Sequence, residues 1–148
     1  MKERFKFVWL SAADACELYN LEKLCFNQHW NLEQWKSSFN NRQFQAWGLR
    51  DESGIAGYLS AMIVADEMEV INFAVHPQYR SLGLGKKLFN EVLQAAAKMG
   101  IHKTALETRE SNDRAIAIYE NAGFIQCGLR KDYYADTGEN GLLYIKEM

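Results

Sequence analysis

Apolar residues recur along the chain with two different periods, and the changes of period predict its secondary structure. Alternation and short apolar runs are typical of β-strands, whereas spacings of three and four are typical of helices. The strand pattern covers residues 4–10, 43–50, 55–64, 68–75, 103–108, 124–134 and 141–148. The helix pattern covers residues 14–26, 31–39, 84–99 and 112–123.

The connections between these elements predict how the strands pair. Short turns such as residues 51–54 join the second, third and fourth strands, which therefore form an antiparallel meander. The strand-helix-strand order of the second half predicts a right-handed parallel crossover. The expected fold is α/β, a mixed sheet of about seven strands with four helices, antiparallel in its first half and β-α-β in its second. No linker, repeat or low-complexity tract appears, so we expect one domain, residues 1–148.

Composition narrows the classes of function. The chain has 148 residues, 48% of them hydrophobic, which is enough for a packed core. A net charge of -2 argues against nucleic acid as a partner. The apolar run at residues 7–10 is too short for a signal peptide, and no stretch is long enough for a membrane span, so we expect a cytoplasmic protein. The three cysteines and three histidines are scattered without C-x-x-C spacing, which indicates free thiols and no metal site.

Cations and glycines cluster where the third helix begins. Arg80, Lys86 and Lys87 stand around Gly83 and Gly85, although cations are unfavourable at the positive N-terminal end of a helix. Free main-chain N–H groups at such an end bind anions, and glycine permits a ligand to approach them closely. A bound phosphate would make all three cations favourable. The alternative is a plain tight turn with solvated lysines.

Two familiar phosphate-binding loops are excluded here. A dinucleotide-binding loop needs a third glycine where Leu88 stands. A Walker A loop needs glycine at the position of Arg80 and serine or threonine at that of Lys87.

Arg80, Gly83 and Gly85 in "VHPQYRSLGLG" resemble the acyl-CoA signature of the GCN5-related N-acetyltransferases (GNAT): Arg or Gln, two residues, Gly, one residue, Gly or Ala. The resemblance covers nearly all of the chain, and it implies the GNAT fold with acetyl-CoA as the acetyl donor. It implies that the pantetheine arm pairs with Phe73, Ala74 and Val75, and that Arg80 and the segment Ser81, Leu82, Gly83, Leu84, Gly85 and Lys86 hold the pyrophosphate.

The stretch "LETRESNDRAIAIYENAGF" and the later Arg-x-x-Tyr-Tyr resemble the RimI-type branch, which acetylates the N-terminal alanine of a ribosomal protein. By this resemblance Glu107 is the general base and Tyr119 is the general acid beside the cofactor. Asn112 is a hydrogen-bonding contact to the pantetheine arm. The resemblance implies direct transfer in a ternary complex, with the Val75 amide facing the developing oxyanion.

Elementary chemistry supports these roles but leaves alternatives open. An α-amino group has a pKa of about 8, so a base must remove a proton before it attacks a thioester. Glu107 can serve, or it can be a surface glutamate paired with Arg109 or Lys103. Tyr119 can protonate a thiolate, or it can be a core aromatic residue. Asn112 can bind the cofactor, cap a helix, or do both.

The resemblance places the acceptor groove between residues 26–31 and the last hairpin. Trp30, Tyr133 and Tyr134 would line it, and Asp132 and Asp136 could attract a cationic N-terminus. The alternative is that these aromatic residues pack the hairpin onto the sheet. Besides a protein N-terminus, the sequence leaves two other functions open: acetylation of a small amine such as a polyamine or amino-sugar, and a non-catalytic acetyl-CoA-binding domain.

Overall fold

The computed structural model describes residues 4–148, which form a mixed β-sheet flanked by helices. The strands are β1 (Lys6–Trp9), β2 (Phe44–Asp51), β3 (Gly54–Val64), β4 (Glu67–Val75), β5 (Lys103–Arg109), β6 (Ile125–Arg130) and β7 (Gly141–Glu147). The α-helices are α1 (Ala15–Cys25), α2 (Leu32–Phe39), α3 (Leu84–Lys98) and α4 (Asp113–Asn121). This is the element order that the hydrophobic pattern predicts.

One predicted strand is too long. Residues 131–134 were expected to continue β6, but β6 ends at Arg130. Asp132 has a φ of +51°, in the left-handed region that an extended strand cannot contain. Its N–H donates to Asn140 Oδ1 at 2.9 Å, across the connection. The segment 131–140 is therefore a folded loop rather than part of a hairpin stem.

The sheet has the order β1-β2-β3-β4-β5-β7-β6, and it opens in the middle. Strands β1 to β4 are antiparallel neighbours, whereas β4 and β5 are parallel and pair only between residues 67–69 and 103–105. Beyond those residues the two strands separate, because β5 continues beside β7 and β4 continues beside β3. The last six residues of β4 therefore have an edge that no strand covers, among the residues described.

A bulge in β4 lies at the point of separation. Ser60 is opposite Asn72 and Ala61 is opposite Val70, so Ile71 is the extra residue. A bulge bends its strand and increases the local twist. It therefore turns the end of β4 away from β5.

The two faces of the sheet are covered by different helices. α3 and α4 pack on one face around buried Leu88, Phe89 and Val92, and α1 and α2 pack on the other around Leu18 and Trp35. Truncating a fully buried side chain of this size costs about 3–5 kcal/mol, so both layers contribute substantially to stability. None of the helices within residues 4–148 is long and apolar enough to cross a membrane.

Asparagine caps fix the start of two helices. Asn31 Oδ1 accepts from the Gln34 N–H at 2.8 Å, and Gln34 Oε1 accepts from the Asn31 N–H at 2.8 Å, a reciprocal capping box before α2. Asn112 Oδ1 accepts from the Ala115 N–H at 3.3 Å and so caps α4. Each cap places the start of its helix, and the residues just before it, beside the opening in the sheet.

Candidate active site

Two grooves enter the opening between β4 and β5. The glycine-loop groove follows the edge of β4 to the start of α3, and the carboxylate groove, named for Glu22 and Glu107, lies between the ends of β4 and β5. They share Phe26, Phe73 and Asn112, so they meet in the middle of the molecule.

Most of the residues predicted to hold a cofactor line the glycine-loop groove. The exceptions are Leu82, whose side chain is 62% exposed and stands outside, and Tyr119, which lines the carboxylate groove instead. Those that line it are Phe73, Ala74, Val75, Arg80, Ser81, Gly83, Leu84, Gly85, Lys86 and Asn112.

The glycine loop is shaped for close approach to its main chain. Ser81 and Gly83 have φ values of +72° and +77°, and this left-handed turn leads directly into α3. A Cβ on Gly85 would lie 3.1 Å from Ile118 Cδ1 and 3.5 Å from Val75 Cγ2, so a side chain there would have to displace Ile118. The main-chain N–H groups at the start of α3 carry the positive end of the helix dipole, which suits a phosphate.

The two lysines of the loop differ in what they face. Lys86 lines the groove, but Lys87 Nζ lies 3.3 Å from Glu91 Oε2 and donates to the Phe5 carbonyl at 3.5 Å. Lys87 is therefore paired within its own helix, whereas Lys86 is the lysine that lines the groove. The i,i+4 spacing of Lys87 and Glu91 is visible in the sequence and could have separated the two lysines.

The open edge of β4 presents main-chain groups to the same groove. The Val75 carbonyl accepts from Arg80 Nε at 3.2 Å and from the Cys25 thiol at 3.6 Å. The N–H and carbonyl of a strand residue point to the same side, so the Val75 N–H also faces this edge. A ligand with amide groups can pair here as an added strand does.

Glu107 stands on β5 in the carboxylate groove. Its Oε2 atom is buried and lies 2.8 Å from Arg130 Nε, but the contact lacks hydrogen-bond geometry and is a simple ion pair. A Cβ on Gly141 would lie 3.1 Å from the same oxygen, so the glycine makes room for the carboxylate. The alternative partners Arg109 and Lys103 do not pair with Glu107.

Tyr119 is 5% exposed, and its ring packs against Phe73, Phe89 and Phe124 with centroids 5.2 to 6.3 Å apart. It is a core aromatic residue that also lines the carboxylate groove, and its role as an acid stays a prediction. Burial raises its pKa above that of a free phenol, which is itself protonated at neutral pH.

The α1–α2 connection forms one wall of the carboxylate groove. The Trp30 ring packs edge-on to Trp35 at 4.9 Å, and the main-chain N–H of Trp30 donates to Glu22 Oε2 at 2.8 Å. Glu22 is 3% exposed, and its Oε1 accepts from the Tyr58 hydroxyl at 2.6 Å. Burial and this carboxylate raise the pKa of Tyr58. A carboxylate in the core thus fixes where Trp30 stands.

The loop 131–140 forms the opposite wall. The Arg109 guanidinium lies 4.1 Å from the centre of the Tyr134 ring and donates to both Asp136 carboxylate oxygens at 2.9 and 3.0 Å. It also lies 3.3 Å from Glu139 Oε2. One cation at the end of β5 therefore holds the loop at three places.

The charges on this wall differ from the prediction that acidic side chains here attract a cationic N-terminus. The hydrogen bond from Arg109 lowers the pKa of Asp136, and bonds from Ser111, Thr137 and Arg109 lower the pKa of Glu139 to about 2. Both carboxylates are ionised but paired, so Asp136 does not attract a cation as expected. Burial and the Glu107 carboxylate raise the pKa of Tyr134.

Trp30 and Tyr134 line the carboxylate groove as predicted, while Tyr133 is 49% exposed and stands outside its lining. Sequence reasoning missed Glu22 and Arg109. A signal for Arg109 was present, since strand alternation puts it on the same face as Glu107. Glu22 stood among the apolar positions of α1, where a buried acid has no periodic signature.

A GNAT-like signature beside an open strand edge indicates one class of protein, the GNAT acetyltransferases. Comparison with known families confirms this class. A profile of the Acetyltransferase (GNAT) family matches residues 15–124, more than half of the chain, and the chain belongs to this family. The acetyltransferase activity implied by the signature is thereby confirmed.

Particular relatives point to the same branch. The [ribosomal protein bS18]-alanine N-acetyltransferase of Escherichia coli (strain K12) is 30% identical over 128 residues, 86% of each chain. The crystal structure of the ribosomal-protein-S18-alanine N-acetyltransferase from Escherichia coli has a TM-score of 0.90 at 27% identity, over 97% of this chain and 93% of that one. Arabidopsis thaliana NAA60 in complex with acetyl-CoA has a TM-score of 0.85 at 17% identity, over 97% and 98%, and shares the fold. The predicted fold class and the RimI-type resemblance are confirmed.

Proposed function

We propose that the protein transfers the acetyl group of acetyl-CoA to the N-terminal α-amino group of a protein, with a ribosomal protein that begins with alanine as the acceptor. The observation that carries the proposal is the Glu107 carboxylate, which lines the carboxylate groove while Arg130 holds its Oε2 atom by an ion pair. This groove meets the glycine-loop groove at Phe73 and Asn112. A carboxylate in the lining of the groove can accept a proton from an amine bound there.

Glu107 is the group that removes the proton. The attacking nitrogen needs a free lone pair, and a carboxylate within reach, directly or through one water, can accept its proton. Arg130 at 2.8 Å keeps the carboxylate in place from the far side. No acyl-enzyme is needed, because amine and thioester reach the same point from two grooves.

Tyr119 is the group that supplies a proton to the departing sulfur. Its phenol is protonated at neutral pH, as a tyrosine normally is, and its ring is held by aromatic neighbours. As the carbon–sulfur bond breaks, the phenol O–H can donate to the thiolate. The Val75 N–H faces the edge where negative charge develops on the carbonyl oxygen.

The glycine-loop groove would hold acetyl-CoA. The main chain of residues 81–86 suits the pyrophosphate, and Lys86 and Arg114 at the groove add cations. The open edge of β4 suits the amides of the pantetheine arm. Asn112 uses Oδ1 in its cap, so its amide NH₂ is the part that can bind the arm.

The acceptor is proposed from two kinds of support. The E. coli relative acts on bS18 alanine by its name, and the chain matches it over most of both lengths. The carboxylate groove also has two aromatic walls with polar handles, Trp30 and Tyr134, between which an extended peptide can lie.

Release of free thiol from acetyl-CoA, in the presence of different acceptors, tests the proposal. We expect release with peptides that begin with alanine, and most with the N-terminal peptide of bS18. Thiol release with polyamines or amino-sugars alone would overturn the proposed acceptor class. No release with any amine, despite binding of acetyl-CoA, would indicate a non-catalytic binding domain.

A further inference from the structure

A buried side-chain donor on β4 belongs to a residue that lines the carboxylate groove. Asn72 Nδ2 is buried and has no hydrogen-bond partner among residues 4–148. Asn72 follows the bulge at Ile71 on β4, in the part of that strand that has already left β5. An unpaired buried donor is costly, and in native proteins it usually has a ligand or water to meet.

The groove therefore combines a donor without a partner among residues 4–148, Asn72 Nδ2, with the Glu107 carboxylate, from strands on either side of the opening. This pair of groups distinguishes between amines. The first residue of a protein carries an N–H donor and, one carbon away, a carbonyl acceptor. A polyamine carries amines and no carbonyl, so it could satisfy Glu107 but not Asn72.

We propose that Asn72 is a specificity-determining residue, which donates a hydrogen bond to the first main-chain carbonyl of the acceptor and so selects α-aminoacyl groups over plain alkyl amines. The proposal rests on the proposed function, because it assumes that the acceptor lies in this groove. A site built to bond a polar group rejects an analogue that lacks it, since its own polar group then stays buried and unpaired.

Ser60 is the competing partner within the fold. It lies directly opposite Asn72 in the β3–β4 register, and its hydroxyl is also buried, with no partner in the described part of the chain. No hydrogen bond joins the two side chains. Ser60→Ala is therefore a matched control, because it removes the competing partner and leaves Asn72 intact.

The experiment compares two small acceptors in the thiol-release assay. Alaninamide carries the first carbonyl, and isopropylamine is the same molecule with the carboxamide replaced by a methyl group. We expect the wild type to prefer alaninamide in kcat/KM, and Asn72→Leu to reduce this preference at least about tenfold. The two amines differ in pKa, but this difference cancels when the preference of the variant is divided by that of the wild type.

Stability separates a binding role from a structural one. Asn72→Leu removes no hydrogen bond of the fold, so its Tm should equal or exceed that of the wild type, and Ser60→Ala should keep the wild-type preference. If Asn72→Leu does not fold, Asn72→Ala takes its place. An unchanged preference in the Asn72 variant, or an equal loss in Ser60→Ala, would overturn the proposal. Failure of the wild type to transfer to any amine would overturn the proposed function itself.

Discussion

The two grooves are built by different means. The glycine-loop groove is made largely of main chain: a turn with two left-handed residues, a helix start, and an uncovered strand edge. The carboxylate groove is made of side chains that reach it from distant parts of the chain, and two of them, Glu22 and Arg109, are tied by bonds to other elements.

This difference matches what each groove would have to recognise. A CoA thioester is the same molecule for every family member, and main-chain groups can bind its phosphates and amides whatever the side chains are. An acceptor differs between enzymes, so its groove depends on side chains and on the bonds that hold its walls. Changes in one groove should therefore leave the other largely intact, and the following substitutions test this.

The largest expected effect is on the chemical step. Glu107→Gln keeps the size of the side chain but removes the base, and loss of a general base typically costs about 10²–10⁴-fold in rate. We expect kcat for an alanine peptide to fall by such a factor, with unchanged affinity for acetyl-CoA by calorimetry. Glu147→Gln, at the exposed end of β7, is the control. A turnover close to the wild-type value would remove Glu107 from the mechanism.

The next effect concerns the glycine-loop groove alone. Gly85→Ala puts a methyl group 3.1 Å from Ile118 Cδ1, and because the Ile118 side chain that must yield lines the groove, we expect acetyl-CoA affinity to fall by up to about fivefold, or about 1 kcal/mol, with little loss of stability. Gly83→Ala meets no atom within 4 Å but must adopt a φ of +77°, which costs about 1 kcal/mol of stability. Calorimetric titration and thermal unfolding should therefore separate the two glycines. Equal acetyl-CoA affinity in both variants would contradict this account.

A third substitution tests the α1–α2 wall. Tyr58→Phe leaves the buried Glu22 side chain with one donor fewer, and leaving a buried polar group without its partner costs about 1–3 kcal/mol. We expect the free energy of unfolding in urea to fall by that amount. Because Glu22 also holds the Trp30 N–H, the KM for a peptide should rise while acetyl-CoA affinity stays the same. Full stability in this variant would mean that the bond contributes nothing.

A fourth substitution tests the opposite wall. Arg109→Lys keeps a charge but loses the planar fork that binds Asp136 twice and stacks on Tyr134. We expect faster hydrogen exchange in residues 131–140 and a several-fold higher KM for peptide. Arg50→Lys, which also bridges two carboxylates but on β2, is the matched control. Wild-type exchange in this loop would show that the clamp is not needed.

The smallest expected effect is a pH dependence of stability. The pKa of Tyr119 is raised in the folded state, so above the free value of 10.0 the unfolded chain loses the proton first. The stability associated with Tyr119 is thus complete below pH 10 and is lost as the pH rises further. Tyr119→Phe should lose less stability than the wild type between neutral and alkaline pH in urea unfolding. Identical losses would mean that Tyr119 ionises freely.

Much of the fold was predictable, because the hydrophobic pattern reports which face of each element is buried. The order of strands and helices followed from that pattern, and the caps at Asn31 and Asn112 follow from their local spacing. The predicted end of β6 was wrong because the pattern could not show that Asp132 takes a left-handed conformation and donates a hydrogen bond to Asn140.

The residues of the candidate site also divide into those that the sequence predicted and those that it did not. Arg80, Gly83 and Gly85 lie close in sequence, so their spacing alone indicated an anion-binding loop. Asp136 was misjudged because only the folded chain brings its partner, Arg109, within reach. The partner of Lys87, Glu91, lies one helical turn away and could have been predicted from the sequence. Asn72 had no signal at all, since a buried donor without a partner is visible only when its surroundings are.

The sequence by itself determined the class of this protein: the order of its elements, its acyl-CoA loop, and the carboxylate and phenol of its proposed chemistry. Tertiary structure decided which acids are paired, which walls are fixed, and which polar atoms stay unsatisfied. The physical reason is the distance along the chain over which each kind of interaction acts. Periodicity and loop motifs act over a few neighbouring residues, whereas the contacts of Glu22, Arg109 and Asn72 depend on strands and helices that are adjacent only after folding.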